Sequence, residues 1–323
     1  MDSLKLVLSF TILIFTAQSV AAMERGLSRN MEAGSFGVGE YRALIIGNNN
    51  YQDSQGLWKN LETPHQDARS IARVLKETYG FSDITLIEDA TRRDIIFGLT
   101  KLAKRVEADD HVLIYYAGHG YLDEETNRGY WIPVDAIGDD ITTYIRNTVI
   151  RDELIHISEK TKHTLLISDS CFSGTLLRGS SRSRSRGIPD DLYYQKLANK
   201  KSVQIYAAGG IEFVDDNYRN SGHSPFTYFL LSELESHNGD LITLSELSTN
   251  VSKEVANNVR QTPAIGVLYG SGDELGEFIF ARVDGAENVT ISLNKTAKDN
   301  SISIKNNSPP SLASDVWLPM PRF

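Results

Sequence analysis

From Tyr41 to Val283 the chain alternates short apolar runs with amphipathic stretches of helical period, and that alternation leaves few folds open. RALIIG (42–47), DITLIE (83–88), HVLIYYAG (111–118), HTLLIS (163–168), SVQIYAA (202–208) and the closing GEFIFARV (276–283) each read as a strand. Between them lie helix signals. Thr63-Pro64-His65-Gln66 offers an N-cap Thr, Pro at the first helical position and Gln at the third, with Ile71, Leu75 and Tyr79 following four apart. Thr91 to Val106 sets Ile95, Leu99, Leu102, Ala103 and Val106 on one face. Further helices are expected across RDELIHISEK (151–160), across SPFTYFLLSELES (224–236), and from a Thr243-x-x-Glu246 capping box to about Arg260. Strands alternating with such helices imply a mostly parallel sheet covered on both faces, a three-layer α/β/α sandwich.

In open parallel sheets chemistry collects beyond the carboxyl ends of the strands. Two of these ends carry reactive groups. The third strand runs into Gly118-His119-Gly120, and the fourth into Asp169-Ser170-Cys171-Phe172-Ser173-Gly174. If the two strands are neighbours, His119 and Cys171 meet on one edge of the sheet. A cysteine nucleophile needs an imidazole to take its proton and backbone donors aimed at the oxyanion that forms. Glycine beside His119 lets the backbone approach a substrate, so the N–H groups of Gly120 and Cys171 are the candidate donors. Taken singly, a His or a Cys after a strand is more often a satisfied polar group or a packing residue. Finding both at strand ends, each with glycine nearby, favours chemistry.

The amino terminus, MDSLKLVLSFTILIFTAQSVAAMERG, has Lys5, an apolar core from Leu6 to Phe15 and a small-residue site at Val20-Ala21-Ala22. It reads as a signal peptide over 1–22, too short for a comfortable membrane span, with an uncleaved anchor or a buried helix as the bland alternatives. Export to a periplasmic or extracellular space follows as an expectation, with no stable membrane span after cleavage. A single cysteine in 323 residues cannot form an internal disulfide, so Cys171 is a free thiol. Residues 23–39 read as a polar, Gly-containing linker, 40–283 as one catalytic domain, 177–200 as a flexible Arg/Ser loop within it, and 284–323 as a polar tail. The net charge of −9 argues against a nucleic-acid partner.

At these residues the sequence resembles a known family. YYAGHG (115–120) and LLISDSCFSG (165–174) are similar to the catalytic core of the caspase-like cysteine peptidases, peptidase C14, on their bacterial metacaspase and paracaspase side. YRALIIGNNNY (41–51), YWIPVDA (130–136) and HSPFTYFLLSEL (223–234) extend the likeness over about residues 40–283. The spacing of about fifty residues between His and Cys fits a caspase signature.

The resemblance implies a six-stranded caspase-like sheet, His119 as general base, Cys171 as nucleophile and Gly120 in the oxyanion hole. It also implies that Asp67 and Asp169 line the pocket for the residue before the scissile bond. Two carboxylates there would hold a guanidinium or ammonium and repel an aspartate side chain, so protein or peptide substrates cut after Arg, and less well after Lys, are expected. Asp67 as a first-turn helix acid and Asp169 as a local cap are the alternatives. Arg178, Arg182, Arg184 and Arg186 would then be sites of self-cleavage, or else part of a solvated loop; a phosphate-binding role for that run is disfavoured by the acidic balance. The resemblance imposes no required cofactor and leaves calcium open. Calcium is used by many metacaspases through several aspartates, but the position seven residues after the nucleophile is Arg178, and Asp123, Glu124, Glu125, Asp139 and Asp140 read equally as an acidic surface, so no metal ligand is assigned. A catalytically silent scaffold on the same fold and a different acyl-transfer enzyme are the competing functions. The oligomeric state is not encoded in any motif.

Overall fold

The computed structural model describes residues 39–170, 190–209 and 216–283. Six strands form the main sheet: β1 (Tyr41–Gly47), β2 (Asp83–Glu88), β3 (His111–Ala117), β7 (His163–Asp169), β8 (Ser202–Ala207) and β10 (Ala264–Val267). Their order is β10-β8-β7-β3-β1-β2; all pairs are parallel except β10 with β8. The strands alternate two ways. Ala43, Ile45, Leu113, Tyr115, Leu165 and Ile167 face one side, packed by helices α1 (Pro64–Glu77), α5 (Pro225–Ser236) and α6 (Leu244–Asn258). Leu44, Ile46, Val112, Ile114, Tyr116 and Leu166 face the other, against α2 (Arg92–Arg105) and α3 (Asn147–Ser158). The result is the expected three-layer sandwich. Each fully buried Leu or Ile in it contributes about 1.5–3 kcal/mol.

Several local readings need correction. The sixth strand of the sheet is β10, whereas the GEFIFARV segment supplies β11 (Ile279–Ala281), which pairs antiparallel with β9 (Leu241–Thr243) in a separate two-stranded sheet. β10 is short, contains Gly266 and lacks a sustained apolar run, so periodicity alone did not mark it. The 177–200 stretch is not loop throughout, because α4 occupies Asp190–Ala198. Thr63 is the N-cap residue of α1, with Pro at the helix start, but its hydroxyl makes no cap and instead donates to Asp216 at 3.0 Å. By contrast, Thr243 and Glu246 close the expected capping box, and Thr91 with Asp94 closes another.

Beyond β3 the chain turns into a small sheet of β4 (Gly120–Asp123), β5 (Arg128–Trp131) and β6 (Ile145–Arg146), with β4 at one edge. It is locked to the core by Tyr116, which stacks on Trp131 at 4.1 Å and donates to the carbonyls of His119 and Ile132. No described helix is long and apolar enough to cross a membrane.

Candidate active site

The carboxyl ends of β1, β3, β7 and β8 converge on one edge. β3 and β7 are direct neighbours with Ala117 opposite Asp169, and Gly118 N–H donates to the Asp169 carbonyl at 3.3 Å. Adjacency of the two motif-bearing strands, the condition for His119 and Cys171 to meet, is therefore satisfied. Cys171 and Arg178, Arg182, Arg184 and Arg186 lie outside the described residues. Ser170, the residue before the cysteine, lines a cleft of about 1160 Å³ together with His119, Gly120, Asp67 and Asp169.

His119 is held from three directions. Its N–H donates to the Tyr51 hydroxyl at 2.7 Å, its ring lies 4.6 Å from the Tyr51 ring and 5.5 Å from Trp58, and its Nε2 is 2.8 Å from the Lys59 carbonyl. A carbonyl only accepts, so Nε2 carries the proton and Nδ1 of the neutral ring is left as the acceptor. Burial pushes the imidazole below its ordinary pKa, with the Lys59 carbonyl pulling the other way. The neutral, proton-accepting form is favoured. Gly118 makes this arrangement possible: a Cβ there would sit 2.8 Å from the Tyr51 hydroxyl and 2.9 Å from that of Tyr116. Gly120 opens β4 opposite Trp131 and lines the cleft beside His119.

Asp67 and Asp169 are brought together in this cleft. Both are buried, at 1% and 7% exposure, and both bond Ser224: its N–H donates to Asp67 at 3.3 Å and its hydroxyl to Asp169. Asp169 also accepts from Thr227 at 2.7 Å. Asp67 does sit in the first turn of α1, yet its carboxylate is turned to the His223 ring, 2.6 Å from Nδ1. Burial, with Asp169 nearby, raises the Asp67 carboxyl to about 7 against the pull of His223, and burial likewise raises Asp169 despite its two hydroxyl donors. Buried acids with elevated pKa values in a cleft have charge to gain from a cationic ligand.

Sequence reasoning missed two residues here. Asp216, which lines the same cleft, accepts from the N–H groups of Glu62 and Thr63 and from the Thr63 hydroxyl, and its charge adds to the upward push on Asp169. His223 is the other. Their signal was positional: both fall between β8 and α5, in a connection leaving the same sheet edge. No group of three or more His, Cys, Asp or Glu among the described residues is placed to hold a metal ion. Asp123 accepts from Glu125 and Thr126, and Asp140 from Thr142, so each of these acids ties its own turn.

With this geometry in place, comparison assigns the class. The family model of peptidase C14, the caspase domain, matches residues 40–267, and the chain belongs to that family of cysteine peptidases. Metacaspase-1 of Saccharomyces cerevisiae, in strains YJM789 and ATCC 204508 / S288c, is 29% identical over 190 residues, which are 53% of this chain and 43% of the relative. The match thus spans less than half the length of that relative. Among solved structures, a protein from Geobacter sulfurreducens aligns at TM-score 0.49 and 18% identity over 74% of this chain and 99% of its own. Caspase-1 from Spodoptera frugiperda gives TM-score 0.49 and 18% identity over 75% and 94%.

Proposed function

We propose that the protein is an exported cysteine endopeptidase that hydrolyses peptide bonds after Arg and, less well, after Lys. The observation that carries this reading is the set of three carboxylates, Asp67, Asp169 and Asp216, lining the cleft on the sheet edge that His119 shares. A guanidinium offers several donors in a fixed fork, and charge-assisted pairs in a buried site are strong. An acidic side chain in the same place meets carboxyl groups that repel it wherever they are ionised.

In this reading the Cys171 thiol gives its proton to Nδ1 of His119 and the sulfur attacks the carbonyl carbon of the basic residue. The N–H groups of Gly120 and Cys171 stabilise the oxyanion. The C–N bond breaks as His119 returns the proton to the departing amine, leaving a thioester on Cys171. Water, deprotonated by His119, then releases the acid and restores the thiol. The same pocket would accept the chain's own Arg178, Arg182, Arg184 or Arg186.

Intact mass over time tests the reading on residues 23–323, as wild type, Cys171→Ala and Asp169→Asn, prepared without other proteases. Fragments ending at those arginines in the wild type alone are expected, with matching hydrolysis of Arg peptides added in trans. Truncating one partner of a buried charge pair costs about 2–5 kcal/mol, so Asp169→Asn should slow Arg-peptide hydrolysis by about thirtyfold or more. Wild type that leaves Arg peptides uncut would overturn the proposal.

A further inference from the structure

The cleft does not end at His119. It continues past the ring between the 57–61 segment and the 120–125 segment, where a run of large apolar side chains joins the lining, with Asp123, Glu124 and Glu125 at the end of the 120–125 wall. Leu57, Trp58, Tyr121, Leu122 and Ile141 line this half. Leu57 is 54% exposed and Ile141 42%, large aliphatic side chains left in water in the cleft that His119 lines. Exposed apolar groups clustered in a cleft mark a binding surface more often than chance.

The floor of this half is fixed. The Trp58 indole N–H donates to the Gly138 carbonyl at 3.0 Å and to the Tyr144 hydroxyl at 3.2 Å, and its ring lies edge-on to Tyr121 at 6.2 Å. A rigid aromatic with its polar tip already satisfied presents apolar area at little entropic cost. Nothing about the reactive chemistry requires that wall to be apolar, because Lys59 holds the imidazole through its carbonyl.

We infer that this half of the cleft is the subsite for the residue immediately following the scissile bond, and that it takes an apolar side chain. The inference rests on the peptidase reading above. With the basic residue seated at Asp67, Asp169 and Asp216, the departing amine must lie at His119, which returns the proton to it. The departing segment therefore starts at the imidazole and leaves on the side away from Asp67, Asp169 and Asp216. Its first side chain falls among Trp58, Leu57 and Ile141. β4 begins directly after His119 and is the terminal strand of its sheet, so its outer edge offers main-chain groups along which that segment can run extended.

The test uses the full chain and a peptide series identical except for the residue after Arg, set to Leu, Phe, Ser or Gly, with an Arg methyl ester as a substrate whose leaving group is too small to reach Leu57 or Ile141. Hydrophobic pockets discriminate by about tenfold or more per well-placed group, so kcat/KM for the Leu and Phe peptides should exceed that for Ser by about tenfold. In the double variant Leu57→Ser, Ile141→Ser, both at exposed positions, the preference should fall to about twofold or less, chiefly through KM. Equal rates across the series in the wild type, or a preference that survives the double substitution, would sink the subsite while leaving the peptidase reading intact. Failure to hydrolyse both ester and peptides would remove that reading and the subsite with it.

Discussion

Asp67 is where a single residue ties structure to a measurable profile. Buried beside Asp169 and paired with His223, its carboxyl titrates at about 7. Only the ionised form attracts a cation, so on the proposed reading binding an Arg side chain below that pH must first expel a proton. KM for an Arg peptide should therefore rise as pH falls below about 7, approaching about tenfold per unit, and level off above it. Asp67→Asn should weaken binding and flatten that part of the profile; an unchanged profile in the variant would assign the titration to another group. His119 was legible in the sequence because it sits at a strand end within a short motif, whereas Asp67 and Asp169 were legible only through the family resemblance. Asp216 and His223 were not, because what gives them meaning is a partner far along the chain: Thr63 for one, Asp67 for the other.

At the scale of elements, the opposite end of the sheet makes its own prediction. β3 and β7 each begin with a histidine, His111 and His163, aligned in register with rings 4.9 Å apart, and Tyr41 stacks on His111 at 4.3 Å. Burial drives their pKa values down to about 3 and about 4. In the unfolded chain both protonate near 6.5, so between there and about 4 the unfolded state binds more protons and gains on the fold. Stability should thus be full above about pH 6.5 and decline as pH falls towards 4. The urea midpoint measured against pH checks this, with His111→Phe expected to make the decline shallower; an equal slope in the variant would exclude His111 as a source. The histidines were visible in the sequence only as strand residues, since their pairing depends on strand order. The same limit explains the sixth strand. Periodicity found an apolar run in GEFIFARV, but which sheet a run joins is decided by tertiary pairing, and the short β10 took the place beside β8.

For the whole molecule, charge and topology act together. A net charge of −9, with three carboxylates facing the cleft, should draw basic substrates in from solution. kcat/KM for an Arg peptide flanked by further basic residues should fall as ionic strength rises, and more steeply than for the same Arg peptide flanked by acids; identical salt slopes would mean that the field plays no part. The site is also assembled from segments that are remote in the chain: Lys59 and Asp67, then His119, then Asp169, and last Asp216, Ser224 and Thr227. On the proposed reading, a chain emerging from the ribosome has made both members of its reactive pair, with Asp67 and Asp169, before it has made Asp216, Ser224 and Thr227, which complete the wall that recognises a substrate. Synthesis therefore carries its own safety interval. Until the residues after β8 have been added and docked, the nascent protein holds a nucleophile and a base but no complete means of choosing what to cut.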